Sequence, residues 1–324
     1  MMVNLGNTPY GVDEVEVLDE SGTFSITYKR LAFQTGDTPL DETNTGVPEG
    51  TPLTVHTGDL EITVANTVLM NLHISGRVKI QAEGVRLVNC LIDGGPLVAN
   101  DGTSPVGLVE CFGDGRSVTL SRCTLKPANP SPALDGVRGW NFTLDRCNVS
   151  GTTDGVGVIP PRGSVKTGVV LTGTWIHGLA WWTQNGWRAK TGRTTAKVHP
   201  SDTATHNDCV QIHGGSGTRI TGCRLDAYSG YPDGVGQKPN ALNVVNVCVQ
   251  LDVAGTLGPI IGTVVENSWL SGGYSALVQA APREVITSTV LRGNRLTPGN
   301  SAIDFRMNKA VWTGEGNTPT PTFN

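Results

Sequence analysis

Apolar residues in this chain recur in pairs spaced two apart, and the phase then slips by one position before the next pair. Val85-Arg86-Leu87-Val88-Asn89-Cys90-Leu91-Ile92 is one copy, and Val118 to Leu125 and Phe142 to Val149 are two more. Further copies centre on Thr174, Cys223, Ser268 and Asn294, and a weaker one runs from Leu69 to Ile74. Spacing of two places side chains on one face of a strand. The slip demands a bend, so each copy predicts two short strands meeting at a corner with both apolar pairs inward. A third strand precedes each pair, predicted at Val106 to Glu110, Asp135 to Arg138, Asp208 to Ile212, Leu242 to Val247, Ala276 to Gln279 and Ser301 to Arg306.

Repetition of such a unit implies a solenoid. Its corner residues would form an inward column of Cys90, Cys123, Cys147, Thr174, Cys223, Ser268 and Asn294, separated by 33, 24, 27, 49, 45 and 26 residues. The predicted fold is all-β: a right-handed, single-stranded parallel β-helix. The coils ending at Cys223 and Ser268 are longer, which predicts loop insertions around 178–206 and 226–240 on neighbouring coils, where they can build one face. Residues 1–43 read as an N-terminal cap or docking segment, with an acidic stretch from Asp13 to Glu20 and one alternating strand from Thr23 to Phe33. The β-helix is expected over 44–308. Residues 309–324, rich in Thr, Pro, Gly and Asn, read as an extended C-terminal tail.

Composition narrows the function classes. With 42 glycines, 19 prolines and only 16% charged residues, long solvated helices are excluded. A net charge of −4 with scattered Lys and Arg offers no basic face for nucleic acid. No apolar run approaches the ~18 residues of a membrane helix, and the first residues lack the charged-then-apolar pattern of a secretory signal. Seven cysteines without a C-x-x-C pair predict neither a disulfide framework nor a zinc site. Corner residues on successive coils would lie ~4.8 Å apart, wider than the ~3.5–4.5 Å between Cβ atoms that a disulfide prefers. Free, buried thiols are therefore expected, in a protein folded in a reducing cytoplasm.

The run Asn44-Thr45-Gly46-Val47-Pro48-Glu49-Gly50-Thr51-Pro52-Leu53, then Gly58 to Thr63, then the coil repeats, resembles the pectate-lyase-like right-handed β-helix proteins of actinobacteria and their phages. His206-Asn207-Asp208-Cys209-Val210-Gln211-Ile212 is similar to a His-x-Asp-Gly-Ile-Gln segment of that group, with Cys209 in place of the glycine. The resemblance spans about residues 44–306. It implies a phage virion protein (minor tail protein, tail fibre or tailspike), located in the virion, assembled as a homotrimer with other virion proteins and meeting host-surface polysaccharide. The catalytic sets of polygalacturonase-type and calcium-dependent β-helices are not in place, which leans the reading away from an enzyme. A polysaccharide depolymerase, hydrolase or lyase, and a capsid-decoration protein are the alternatives.

Two groups of residues carry candidate chemistry. Asp135, Asp154 and Asp208 occupy one place on three consecutive coils, whereas Gly107, Ala276 and Ser301 are assigned to it elsewhere. Carboxylates ~5 Å apart on adjacent coils and ~10 Å on alternate ones bracket the separations used in glycoside hydrolysis, with His206 as a proton carrier. The plainer role is turn capping, since Asp before Gly bonds its own backbone. A bound Ca2+ is compatible with this row; no other cofactor or metal is implied. The second group is aromatic. Outward positions on four successive coils read Trp175, Arg224, Trp269 and Arg295, and the first insertion adds Trp181, Trp182 and Trp187. Indole faces suit sugar rings, and packing within the chain or against another protein is the alternative use.

Overall fold

A computed structural model describes residues 15–20, 23–28, 40–95, 105–112, 117–164, 168–182, 205–231, 247–252, 257–273, 276–280, 285–298, 305–306, 312–313 and 316–317. The chain divides into two compact units, residues 1–38 and 39–324. In the first, Val15–Glu20 pairs antiparallel with Thr23–Tyr28, so most of the acidic stretch is itself a strand; of the strand expected to Phe33, residues 29–33 lie outside the described residues.

The second unit is a right-handed parallel β-helix built from three nine-stranded sheets. Sheet 1 runs from Leu60–Ile62 to Phe305–Arg306, sheet 2 from Val68–Met70 to Trp312–Thr313, and sheet 3 from Thr54–Thr57 to Arg295–Pro298. Each coil visits them in the order 1, 2, 3. Leu87, Leu120, Leu144, Leu171, Ile220, Val265 and Leu291 pair in register along sheet 2 and are completely buried. Each such aliphatic side chain stabilises by roughly 1.5–3 kcal/mol.

The corner between sheets 2 and 3 is a single left-handed residue, at Asn71, Asn89, Arg122, Arg146, Gly173, Gly222, Asn267 and Gly293, with φ between 49° and 63°; Gly316, after Trp312–Thr313, has φ 69°. One such residue turns the chain without spending extra length, and it produces the slip in the apolar phase. The following residue is the inward column: Cys90, Cys123, Cys147, Thr174, Cys223, Ser268 and Asn294 are 0–1% exposed. Where hydroxyl or amide replaces thiol, it accepts the N–H of the preceding rung, as in Cys147 to Thr174 Oγ1 (3.3 Å), Cys223 to Ser268 Oγ (3.1 Å) and Ser268 to Asn294 Oδ1 (3.0 Å).

Four expectations need correction. The segment assigned to a tail from 309 contributes the strand Trp312–Thr313 to sheet 2, and Asn317 Oδ1 accepts the N–H of Asn294 at 3.0 Å, adding a rung to the column. The strand predicted at Leu242 to Val247 is described from Val247 and continues to Leu251; residues 242–246 lie outside the described residues. The second insertion, expected around 226–240, starts after Tyr231, because Arg224–Ala227 and Ser229–Tyr231 are strands. In the first, expected at 178–206, Leu179–Ala180 is a strand and Thr205 is already bonded to Trp182.

Residues 40–47 do not enter the coil stack. They form a strap across the outer face of sheet 3. Asp41 folds its first turn by accepting from the Thr43 N–H at 2.8 Å and the Thr45 N–H at 3.0 Å. The strap then docks through Gly46 N–H to Arg146 O (2.8 Å) and Val47 N–H to Thr124 Oγ1 (2.9 Å). Gly46 has φ +73°, and a Cβ there would stand 2.4 Å from Thr124 Oγ1 and 2.8 Å from Asn148 Cβ, so glycine is required on both counts.

Candidate functional site

The three aspartates lie where the chain enters sheet 1. Register places Asp135 opposite Gly107 and Asp208 opposite Val247, with Asp154 on the coil between the aspartates. The position therefore runs Gly107, Asp135, Asp154, Asp208, Val247, Ala276. Val247 belongs in this row, and Ser301 lies outside the described residues. Each carboxylate reaches along the solenoid axis to the next coil: Asp135 Oδ1 accepts the Asp154 N–H at 3.3 Å, Asp154 Oδ1 that of Asp208 at 2.8 Å, and Asp208 Oδ1 that of Val247 at 3.2 Å. The capping is thus between coils, where the sequence suggested a turn capping itself.

Burial governs the electrostatics. Asp135 and Asp208 are 2% and 4% exposed, and Asp154 is half-buried. Arg138 pairs with Asp135 and is the cation of the row. Burial pushes the Asp208 carboxyl up to about 8, helped by the negative charge of Asp252 and Asp135. Asp154 is held well above the usual carboxylate range by burial and then by the carboxylates on either side. Burial raises Asp135 too, against the pull of Arg138. A buried row already engaged with main-chain N–H groups holds neighbouring coils in register, and its deeper members present little surface to a substrate. His206 is exposed.

Its neighbour Asn207, which the sequence did not single out, is completely buried. The Asn207 side-chain amide donates to Thr153 O at 2.9 Å and Ala180 O at 2.7 Å, and its Oδ1 accepts from Thr205 Oγ1 at 2.9 Å. Thr205 in turn closes the first insertion: its N–H donates to Trp182 O at 2.8 Å, and its Oγ1 accepts the Trp182 N–H at 3.0 Å. The insertion therefore leaves the solenoid through a pinned neck. Trp182 is buried at that neck and Trp181 is half-buried. Trp187 lies outside the described residues.

No family model matches the chain, and no curated protein is significantly similar to it. One solved structure with a similar course is the "Crystal structure of Dettilon tailspike protein (gp208)", at 11% identity and a TM-score of 0.33. The superposition covers 83% of this chain and 61% of that one, so this chain spans about three fifths of its length. The β-helix assignment rests on the strand pairing of the chain itself.

On the outer face of sheet 3, Trp175, Arg224, Trp269 and Arg295 stand in register on consecutive coils. Arg224 lies over the Trp175 ring at 5.0 Å and Arg295 over Trp269 at 4.9 Å. The first of these pairs is fully engaged within the chain. Asp226 accepts from Trp175 Nε1 at 2.8 Å and pairs with Arg224 Nε at 2.7 Å, and Ser271 Oγ bonds its other oxygen. Arg224 also donates to Leu40 O in the strap at 2.8 Å. His177 stacks on Trp175 at 3.5 Å and donates from Nε2 to Asn148 Oδ1 at 3.0 Å. Burial, with Arg224 and Lys126 adding to it, lowers His177 to about 4, so this ring is neutral. His177 and Asp226 follow Trp175 and Arg224 by two residues, so strand alternation alone could have found them. Among the described residues, no three His, Cys, Asp or Glu side chains converge as a metal site, and no helix is long and apolar enough to cross a membrane.

Proposed function

We propose that this chain is a bacteriophage virion protein, a minor-tail or tail-fibre-like β-helix that recognises host-surface polysaccharide through the face where its two long insertions leave the solenoid. The observation that carries this reading is their stacking. The strands before the insertions pair with each other, Leu179–Ala180 with Ser229–Tyr231, and so do the strands after them, Asp208–Ile212 with Val247–Leu251. Both insertions thus leave at the same corner of consecutive coils, and stacked loops on a rigid solenoid form an extended binding surface. The virion setting, the homotrimer and the other virion proteins as partners follow from the sequence resemblance over residues 44–306. Burial of the carboxylate row argues for binding over cleavage, because a general acid must reach the bond it protonates.

The test combines three measurements on purified phage and purified protein. Labelling with an antibody to the chain should mark the tail, soluble protein should compete with phage adsorption, and host envelope polysaccharide should release no reducing ends. Reducing-end release that Asp208→Asn abolishes would replace this reading with a depolymerase. Label over the capsid shell would replace it with a decoration protein.

A further inference from the structure

The carboxylate row and the insertion neck are adjacent in the chain and mechanically joined. Asp208 follows Asn207 directly, and Asn207 ties Thr205 to the carbonyls of Thr153 and Ala180 on two coils. The Asp208 N–H is itself held by Asp154. Any loss of the Asp154–Asp208–Val247 bonds frees the residue on which the neck is anchored.

Two buried carboxylates and a half-buried one between them, with Arg138 as their cation, are stable together only while protons are shared among them. The groups facing the row make this stricter. Glu110 lies near Asp135 and Asp252 near Asp208, and both add negative charge. His213, which senses Arg138 and Asp252, is lowered to about 4 mainly by burial, so it supplies no cation at neutral pH. Asp226 and Asp208 both act on Cys209 beside the row, again with negative charge.

We propose that the Asp135–Asp154–Asp208 row is a proton-controlled latch on the insertion neck: it holds Trp182 and Thr205 together while protonated and loosens them as it ionises. The latch regulates the recognition face and so rests on the function proposed above. The latch itself is measured on the isolated protein without any glycan, so the two can fail separately.

The sign follows from linkage. A carboxyl whose pKa is raised in the closed state favours closure at low pH and loses that contribution as pH rises from the ordinary value of 3.8 towards about 8. For one carboxyl, the opening equilibrium rises about tenfold per pH unit across that span and then levels off.

Amide hydrogen exchange of the full chain between pH 5 and pH 9, corrected for the intrinsic rate, tests this at Thr205, Asp208 and Val247. Leu120 and Leu144, in the core of sheet 2, are the reference. In the wild type, protection at the three sites should fall by about tenfold per pH unit up to about pH 8 and stay below that of the reference, so that the neck opens without the core. Asp208→Asn keeps an oxygen acceptor for Val247 and cannot ionise, so its protection should be higher at pH 8 and its pH slope shallower than in the wild type, by the share of one carboxyl. If Asp208→Asn does not fold, Asp154→Asn, which removes a different carboxyl of the row, should likewise give a shallower pH slope than the wild type. Wild-type protection that is flat with pH, an unchanged slope in the Asn variant, or exchange at the three sites only at the rate of Leu120, together with the core, would overturn the latch.

Discussion

Asp154 Oδ1 accepts the main-chain N–H of Asp208 at 2.8 Å, across the gap between two consecutive coils. The carboxyl does the work of a sheet hydrogen bond to the first residue of the strand Asp208–Ile212, two residues before the strand of its own coil, Val156–Val158, begins, and it does so half-buried between two other carboxyls. The same contact makes it a structural bond and a pH liability.

The whole chain should therefore be most stable in mild acid. The raised carboxyls contribute their full stability below about 4, and that contribution is lost progressively as pH climbs towards about 8, the value for Asp208. Thermal melting from pH 5 to pH 9 should show a falling midpoint. Asp154→Asn, neutral at every pH and still an acceptor, should flatten this fall, whereas Asp154→Ala should lower the midpoint throughout by leaving the Asp208 N–H unpaired, at about 1–3 kcal/mol.

Asn207 is the next test. Its amide serves two carbonyls in a completely buried place, so Asn207→Ala strands both and should cost about 1–3 kcal/mol per acceptor. Asn207→Asp should cost more, since it sets carboxylate oxygens against those carbonyls. Urea denaturation reads both. A loss under 0.5 kcal/mol, about the scale of an ordinary surface change, would mean that the neck is held by something else.

All seven cysteines are buried and unbridged. Thiol titration should find none reactive in the folded protein and seven after denaturation. Within the column, Cys147→Ser should be nearly neutral, because Ser268 at an equivalent rung bonds the carbonyl two residues back at 2.9 Å and Cys147 already points at the corresponding Asp145 carbonyl. Cys147→Leu should cost about 1–3 kcal/mol through overpacking. Equal losses from both would mean that the thiol is needed for its own sake.

Trp175 and Trp269 occupy the same row but should behave differently. Trp175 bonds Asp226 and stacks on His177, so Trp175→Ala should lower stability. Trp269 pairs with Arg295 beyond the rungs that the strap bonds. If this face contributes to recognition, Trp269→Ala should weaken host-surface association by about 1–2 kcal/mol with little change in melting. Unchanged adsorption in Trp269→Ala would confine recognition to the insertion face.

The sequence by itself determined the repeat. Alternation with a one-residue slip has one mechanical solution, a pair of strands joined by a left-handed corner, and Cys90 to Asn294 fall inward because the small residue must follow that corner. It also placed Asp135, Asp154 and Asp208 on consecutive coils, and Trp175, Arg224, Trp269 and Arg295 in one row, since register between coils is set by the same repeat. What it left undecided was everything that acts across coils from outside the repeat. Asn207 reaches carbonyls 54 and 27 residues away in sequence, Leu40 meets Arg224 184 residues away, and Asn317 closes the column after an interruption that hid its rung. Whether a carboxylate is open or buried depends on the neighbouring coils and on the chain packed over it. Burial is a sum over many distant atoms, and no local pattern encodes that sum; only the tertiary structure decided that the aspartate row is interior and that the Trp175 face is crossed by a strap.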